Sequence, residues 1–281
     1  VSAPDATVVR ACLRDGAGGS PTAVVLEDDA AAPSPGVEER CRTAVALGTS
    51  HAVYVRRAGD AAELRFFTAV GELPACGHGT VAALALLAAR HDGAGPFRIT
   101  LRAGGRVFAG RAERHGELIT AAFDPGPVDL REPTAQEHAL VLPALGLTPD
   151  ECGPDVRIAG VGRARVLVPV ATRARLTALR PDLDRLGAAC DRFGLLGAYV
   201  YSAPSPGGTL AARMFAPSIG VPEDVANANG TACLAAHLAG RGIHRIAADM
   251  GDALGSPATV TATAGGDLRV DVGGVARVPT Q

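Results

Sequence analysis

Short runs in which apolar residues alternate with polar ones fill the first third of the chain, each bounded by Gly, Pro or charged residues. Residues 7–12 and 22–26 read as strands on this pattern. Residues 37–47 carry Ala and Val at helical spacing, and 52–55 and 62–68 return to strand character before a Gly/Pro turn at 71–74. Residues 80–90 are rich in Ala and Leu and unbroken by Gly or Pro, which predicts a helix. Gly104-Gly105, between apolar runs at 97–102 and 106–111, predicts a hairpin.

A Pro-rich stretch at 124–133 (DPGPVDLREP) separates two halves of similar length, and the pattern then restarts. The second half predicts a helix at 136–145, strands at 156–158 and 164–169, and a helix at 172–179. Strands at 197–201 and 209–215 follow. A Gly- and Asn-rich turn at 227–231 opens a second Ala/Leu helix at 232–239, and strands at 259–263 and 268–272 close the chain. The halves share a device. Arg65-Phe66-Phe67 leads through a Gly/Pro turn to Cys76-Gly77-His78-Gly79-Thr80, and Arg213-Met214-Phe215 leads through Gly220 and Pro222 to Asn229-Gly230-Thr231. Aligning Gly77 with Gly230 also aligns Ala82 with Ala235 and Ala83 with Ala236. An internal repeat is expected.

Composition narrows the chemistry. With 281 residues, 47% apolar and 20% charged, the chain fits two domains that need no metal or disulfide staple. A net charge of −2 with both signs interspersed points away from nucleic acid and from a polybasic membrane patch. All 27 cationic Lys/Arg positions are Arg, so a Schiff-base lysine and a P-loop lysine are both excluded. Six cysteines stand singly with no C-x-x-C pair, which argues against a zinc site or disulfide framework. No apolar run approaches the roughly 20 residues of a spanning helix, and no leader pattern is visible. A reducing cytoplasm is the expected compartment, and no membrane or nucleic-acid partner is expected.

The two glycine turns carry the candidate site. A helix N-terminus leaves backbone N–H groups unpaired and bears partial positive charge, and glycine lets a ligand approach it closely. Two such ends facing each other would grip a small carboxylate, and the same field favours negative charge on Cys76. Side chains at the two turns would then flank the ligand and could move a proton between its carbons.

At these residues the chain resembles a known family. Glu72-Leu73-Pro74-Ala75-Cys76-Gly77-His78-Gly79-Thr80 is similar to the E-L-P-x-x-G-H-x-T signature of PhzF-like isomerases, within the diaminopimelate-epimerase-like superfamily. Residues 213–234 (RMFAPSIGVPEDVANANGTACL) resemble that family's R-x-F-x-P-x-x-G-x-x-E-D-P-x-T-G-S-A segment. Gly19-Ser20-Pro21-Thr22-Ala23-Val24 resembles its G-N-P-x-A-V, and residues 272–276 its closing strand. The resemblance implies an α+β fold of two pseudo-symmetric lobes, each a rolled, mainly antiparallel sheet around a central helix. The lobes would be 1–124, completed by a closing strand at 267–281, and 125–266. It implies an isomerase working without cofactor or metal, and a homodimer. It assigns Cys76, His78 and Asp224 to catalysis. Ser20, Gly77, Gly79, Thr80, Asn229, Gly230 and Thr231 would bind substrate.

The departures shape the expected reaction. The family's proton-carrying glutamate, in an A-x-E-x-N-x-S-E-T segment resembling residues 44–52, falls on Ala46. Of the two facing cysteines of racemase relatives, Cys76 matches the first and Asn229 replaces the second. A one-sided tautomerisation is expected, shifting a double bond in a small conjugated carboxylate of natural-product biosynthesis, an unsaturated proline derivative being the guess by resemblance. The alternatives are an amino-acid racemase, epimerase or dehydratase, and a small-acid-binding protein that has lost catalysis. His51, Asn227 and Ser20 stand as cleft-lining or structural residues; Cys12, Cys152, Cys190 and Cys233 read as buried apolar ones.

Overall fold

Side-chain alternation sets the architecture of the computed structural model, which describes residues 6–27, 35–93, 95–265 and 269–279. In chain order come β1 (Ala6–Leu13), β2 (Ser20–Leu26), α1 (Val37–Ala46), β3 (His51–Ala58), β4 (Ala61–Thr68), β5 (Gly71–Leu73) and α2 (Gly77–Ala89). β6 (Phe97–Ala103), β7 (Arg106–His115) and β8 (Leu118–Phe123) form a meander. The second half begins with β9 (Asp129–Arg131), α3 (Ala135–Ala144), α4 (Pro149–Cys152), β10 (Arg157–Val161), β11 (Arg163–Val170), α5 (Arg173–Thr177) and α6 (Leu183–Phe193). It ends with β12 (Ala198–Ser202), β13 (Thr209–Ala216), β14 (Val221–Asp224), α7 (Ala228–Ala239), β15 (Arg245–Met250), β16 (Ala258–Ala264) and β17 (Val270–Arg277). Leu268, expected to begin the closing strand, lies outside the described residues, as do 1–5 and 280–281.

The two halves repeat one topology. β1–β2 and β10–β11 are antiparallel pairs, and β2–β3 and β11–β12 are parallel. β3–β4 and β12–β13 are antiparallel, and a short strand, β5 or β14, then folds back on β4 or β13. A helix follows, and the next strand returns parallel, β6 to β4 and β15 to β13. Bidentate pairs brace both turns. Arg65 Nε and Nη2 each lie 2.7 Å from the Glu72 carboxylate, and Arg213 holds Glu223 at 2.9 and 2.7 Å. The fold is therefore the α+β arrangement of two similar lobes.

β17 joins the lobes. It pairs with β8 and β1, closing β1-β2-β3-β4-β6-β7-β8-β17 into a barrel, and also with β16 of the second roll. Inside the barrel α2 is buried on every side from Gly77 to Ala88, so it carries no polar face. It packs on Val9, Ala11, Val24, Val53, Val55, Leu64 and Phe66. The alternate positions Ala23, Val25, Ala52, Tyr54 and Phe67 face outward beneath α1. In the second roll α7 packs on β9, β10, β11, β15, β16 and β17, while α3 and α6 cover the outer face through Leu142, Leu186 and Cys190. Burying Val81, Leu84, Leu86 and Leu87 contributes about 1.5–3 kcal/mol each, which outweighs the roughly 1 kcal/mol cost of each glycine in the first turn of α2.

The N-terminal ends of the two central helices meet. A Cβ built on Gly77 would lie 2.6 Å from Ala228 Cβ and 2.9 Å from Asn229 N, so this crossing admits no side chain. Gly77→Ala should lower stability by about 1–3 kcal/mol through overpacking, read as a lower midpoint in urea unfolding. An unchanged midpoint would mean that the helix ends are not in contact.

Candidate active site

Cys76 is the residue before the first turn of α2, with φ −143° and ψ 113°, and its side chain makes no capping bond. Its carbonyl accepts the first helical bond from Thr80 N–H and a second from Thr80 Oγ1–H, both at 2.9 Å, which leaves the first-turn N–H groups uncapped. The thiol lies over Gly79, where an added Cβ would stand 3.1 Å from Sγ. His78 turns inward and is 1% exposed. Its Nδ1–H donates to the Ala226 carbonyl at 2.7 Å, which leaves Nε2 directed at Cys76 Sγ, 3.5 Å away. Asp224 Oδ2 is 3.7 Å from the same Nδ1. Thiol, imidazole and carboxylate thus form one buried chain.

The start of α7 supplies the other wall. Asn227 caps it, accepting Gly230 N–H at 2.8 Å and donating from Nδ2 to Asp224 Oδ2 at 2.9 Å. Thr231 Oγ1 donates to Asn227 O at 3.0 Å and lies 2.8 Å from Tyr199 OH. Gly230 is pressed on that ring, where a Cβ would come within 2.4 Å of Tyr199. Asn229 lines a cleft between the lobes together with Pro74 and Ala75, and the same three residues line a smaller cavity at Cys76. Ser20 is fully buried on the barrel's inner face, with no hydrogen-bond partner for its hydroxyl among the described residues. It shares that face with Thr22 and with His51, which stands opposite Thr22 in the β2–β3 register.

Burial opposes a charged His78, but Cys76, Asp224 and the bonds to Cys76 and Ala226 overcome it and push its pKa up to about 10. His51 is held well below the ordinary histidine range by burial and by the charge of His78, so it is neutral. Their rings meet edge-on with centroids 4.4 Å apart, and His51 Nδ1 is 2.9 Å from Ser50 Oγ. Cys12, in a left-handed conformation (φ 62°) where the β1–β17 register shifts, is pushed up to about 12 by burial, Asp224 and Cys76. It keeps its proton at neutral pH. The ligand atoms of His51, Cys76 and His78 lie within 4.8 Å of one another, a donor set for a thiophilic ion. Binding one would require His78 to give up its proton.

Three features add to the sequence reading. Ala46 is exposed at the end of α1, outside the barrel, so a carboxylate there would face water. The side chain by which this segment reaches the site is His51, which stands at the motif's second glutamate position. Cys12 is buried in the apolar core, as expected, and is close enough to Asp224 and Cys76 to feel their charges. Arg165, which nothing in the sequence singles out, is 2% exposed and lines the cleft. Among the described residues no helix is long and apolar enough to cross a membrane.

A family model described as phenazine biosynthesis-like protein matches residues 10–280. An Escherichia coli K12 protein called uncharacterized isomerase YddE is 29% identical over 200 residues, 66% of this chain. The chain spans 64% of that relative's length. A trans-2,3-dihydro-3-hydroxyanthranilate isomerase of Pseudomonas fluorescens is 31% identical over 225 residues, covering 80% of this chain and 76% of its own. Among solved structures, a predicted epimerase of Pseudomonas aeruginosa superposes with a TM-score of 0.82 at 24% identity, over 98% of this chain and 96% of its own, a likeness of fold.

The site's titration is coupled to folding. An unfolded histidine titrates near about 6.5, whereas His78 in the fold titrates near 10. Protonation thus favours the native state: the contribution is complete below about pH 6.5 and is lost as pH rises towards 10. His51 acts oppositely, destabilising the fold as pH drops below about 6.5. The gap in thermal midpoint between wild type and His78→Gln should narrow steadily from pH 7 to 10; a constant gap would refute the charged state assigned to His78.

Proposed function

Because the chain belongs to the phenazine biosynthesis-like protein family, we propose that it is an isomerase that shifts a double bond within a small conjugated carboxylate by proton transfer. The observation that carries this reading is the buried Cys76–His78–Asp224 chain at the junction of two helix N-termini. The substrate's negative charge lies at the helix starts, where the N–H groups of Gly77, Gly79 and Asn229 stand in the first turns of α2 and α7, ahead of the first intrahelical bonds at Thr80 and Thr231. Its conjugated carbons then lie against Cys76. With its proton passed to His78 Nε2, Cys76 Sγ removes a proton from one substrate carbon. The electron pair moves along the conjugated system as an enolate-like anion, stabilised by the helix ends. A proton returned from the thiol or the imidazolium to the distal carbon completes the shift, with no net gain or loss of atoms or electrons. The Ala226 carbonyl orients His78 and Asp224 offsets its charge, while neutral His51 packs edge-on against the ring.

A two-base racemase fits less well. It needs a second ionisable group facing Cys76, whereas Asn229 stands on the α7 side and Cys12 holds its proton up to about 12. The matched family and the relatives' named reaction support a biosynthetic role on a ring compound. A cavity of about 200 Å³ between the lobes suits a single-ring acid such as an unsaturated proline derivative.

The test is proton NMR in D₂O with didehydroproline isomers and trans-2,3-dihydro-3-hydroxyanthranilate as candidate substrates. Deuterium should enter at the carbon that gains the proton while the double bond moves. Cys76→Ala and His78→Gln should each slow this roughly 10²–10⁴-fold. Turnover unchanged in both variants would overturn the mechanism.

A further inference from the structure

Among the described residues two arginines are the largest fully buried side chains, and only one of them has a counter-ion there. Arg40 pairs with Glu27 at 2.7 Å and lies over the Tyr54 ring. Arg165, on β11, has no carboxylate within 4.0 Å among the described residues. Strand alternation explains how it came inside: Val166, Val168 and Val170 face the outer helices, which turns Arg165 and Leu167 towards α7. There Nη1 donates to Cys233 Sγ at 3.3 Å and Nη2 to the Arg163 carbonyl at 3.2 Å, while Nε is buried with no partner. A guanidinium so placed is desolvated with two hydrogen bonds but no counter-charge, an arrangement that costs stability unless an anion completes it.

The completing space is present. Arg165, Arg163, Ser218 and Asn229 from the second lobe and Pro74 and Ala75 from the first line a cavity of about 200 Å³. That is below the roughly 300–1,000 Å³ of pockets for drug-sized ligands, so its occupant is a compact molecule. A narrower cavity shares Pro74, Ala75 and Asn229 with it and reaches Cys76. Arg165 and Cys76 therefore line adjoining cavities that meet at Pro74, Ala75 and Asn229.

We propose that Arg165 is the carboxylate-binding residue of this site, holding the acid group of a compact single-ring ligand at the α7 side and directing its ring to Cys76. This rests on the isomerase reading only for what happens at Cys76; the anion site stands apart from it. The two helix starts then divide the work. The α7 start and Arg165 hold the acid, and the α2 start with Cys76 faces the reacting carbons. Arginine suits the task because its fork presents parallel N–H groups to a carboxylate.

The test is isothermal titration of the whole protein with pyrrole-2-carboxylate and benzoate, each against its own carboxamide. Wild type should bind at least one acid at least tenfold more tightly than its amide. Arg165→Met should erase that preference, and Arg165→Lys should retain part of it. Without ligand, Arg165→Met should melt at the same or a higher temperature than wild type, because it removes an unpaired buried charge. No acid-over-amide preference in wild type, a preference that survives Arg165→Met, or a clear fall in its unliganded melting temperature would each overturn the proposal. Acid binding that depends on Arg165 without any proton exchange at carbon would sink the isomerase reading and leave this one intact.

Discussion

Two helix N-termini meeting end to end place like partial charges side by side, each roughly half a positive charge. The contact at Gly77, Ala228 and Asn229 is close enough to exclude any side chain between them. Such a junction is unfavourable unless negative charge gathers there, and the surrounding residues follow from that need. Asp224 is buried beside it and shared between Asn227 and His78. Cys76 stands at the α2 start, and His78 carries a positive charge beside Asp224. Arg165 adds a further cation with no protein counter-ion among the described residues. The junction is complete when one small anion enters.

The repeat makes this meeting possible. In each half an arginine on a strand grips a glutamate on the short strand that folds back, Arg65 with Glu72 and Arg213 with Glu223. These pairs aim the following helix into its own rolled sheet. β17 then pairs with both β8 and β16, so the rolls share a seam and their helix starts converge. Gly273 and Gly274 permit the seam: a Cβ on Gly273 would lie 2.1 Å from Ala121 O, and one on Gly274 would lie 3.0 Å from Cys12.

Much of this was legible in the sequence where local signals act alone. The Gly-rich turns followed by Ala/Leu runs marked both central helices, because burial on all sides needs no polar face. The signals failed where a segment is short or interrupted. β8 (Leu118–Phe123) and β15 (Arg245–Met250) are six residues each, and α6 has Gly187 inside it and charges near both ends. Of the candidate site, the chain Cys76–His78–Asp224 was within reach because its members sit in the two turns. His51 and Arg165 were not, since each arrives through sheet register: His51 opposite Thr22 across β2–β3, and Arg165 by the alternation of β11. Motif spacing also misled at Ala46, where helix α1 ends outside the barrel and the strand that follows carries the next motif position inward.

The charge state of the junction is the claim on which the rest turns, and ¹⁵N NMR of the imidazole side chains reads it directly. The account predicts that His78 holds protons on both nitrogens throughout the neutral range and titrates near 10, while His51 carries one proton and stays neutral. A singly protonated His78 at pH 7.5, titrating near the ordinary value of about 6.5, would contradict it.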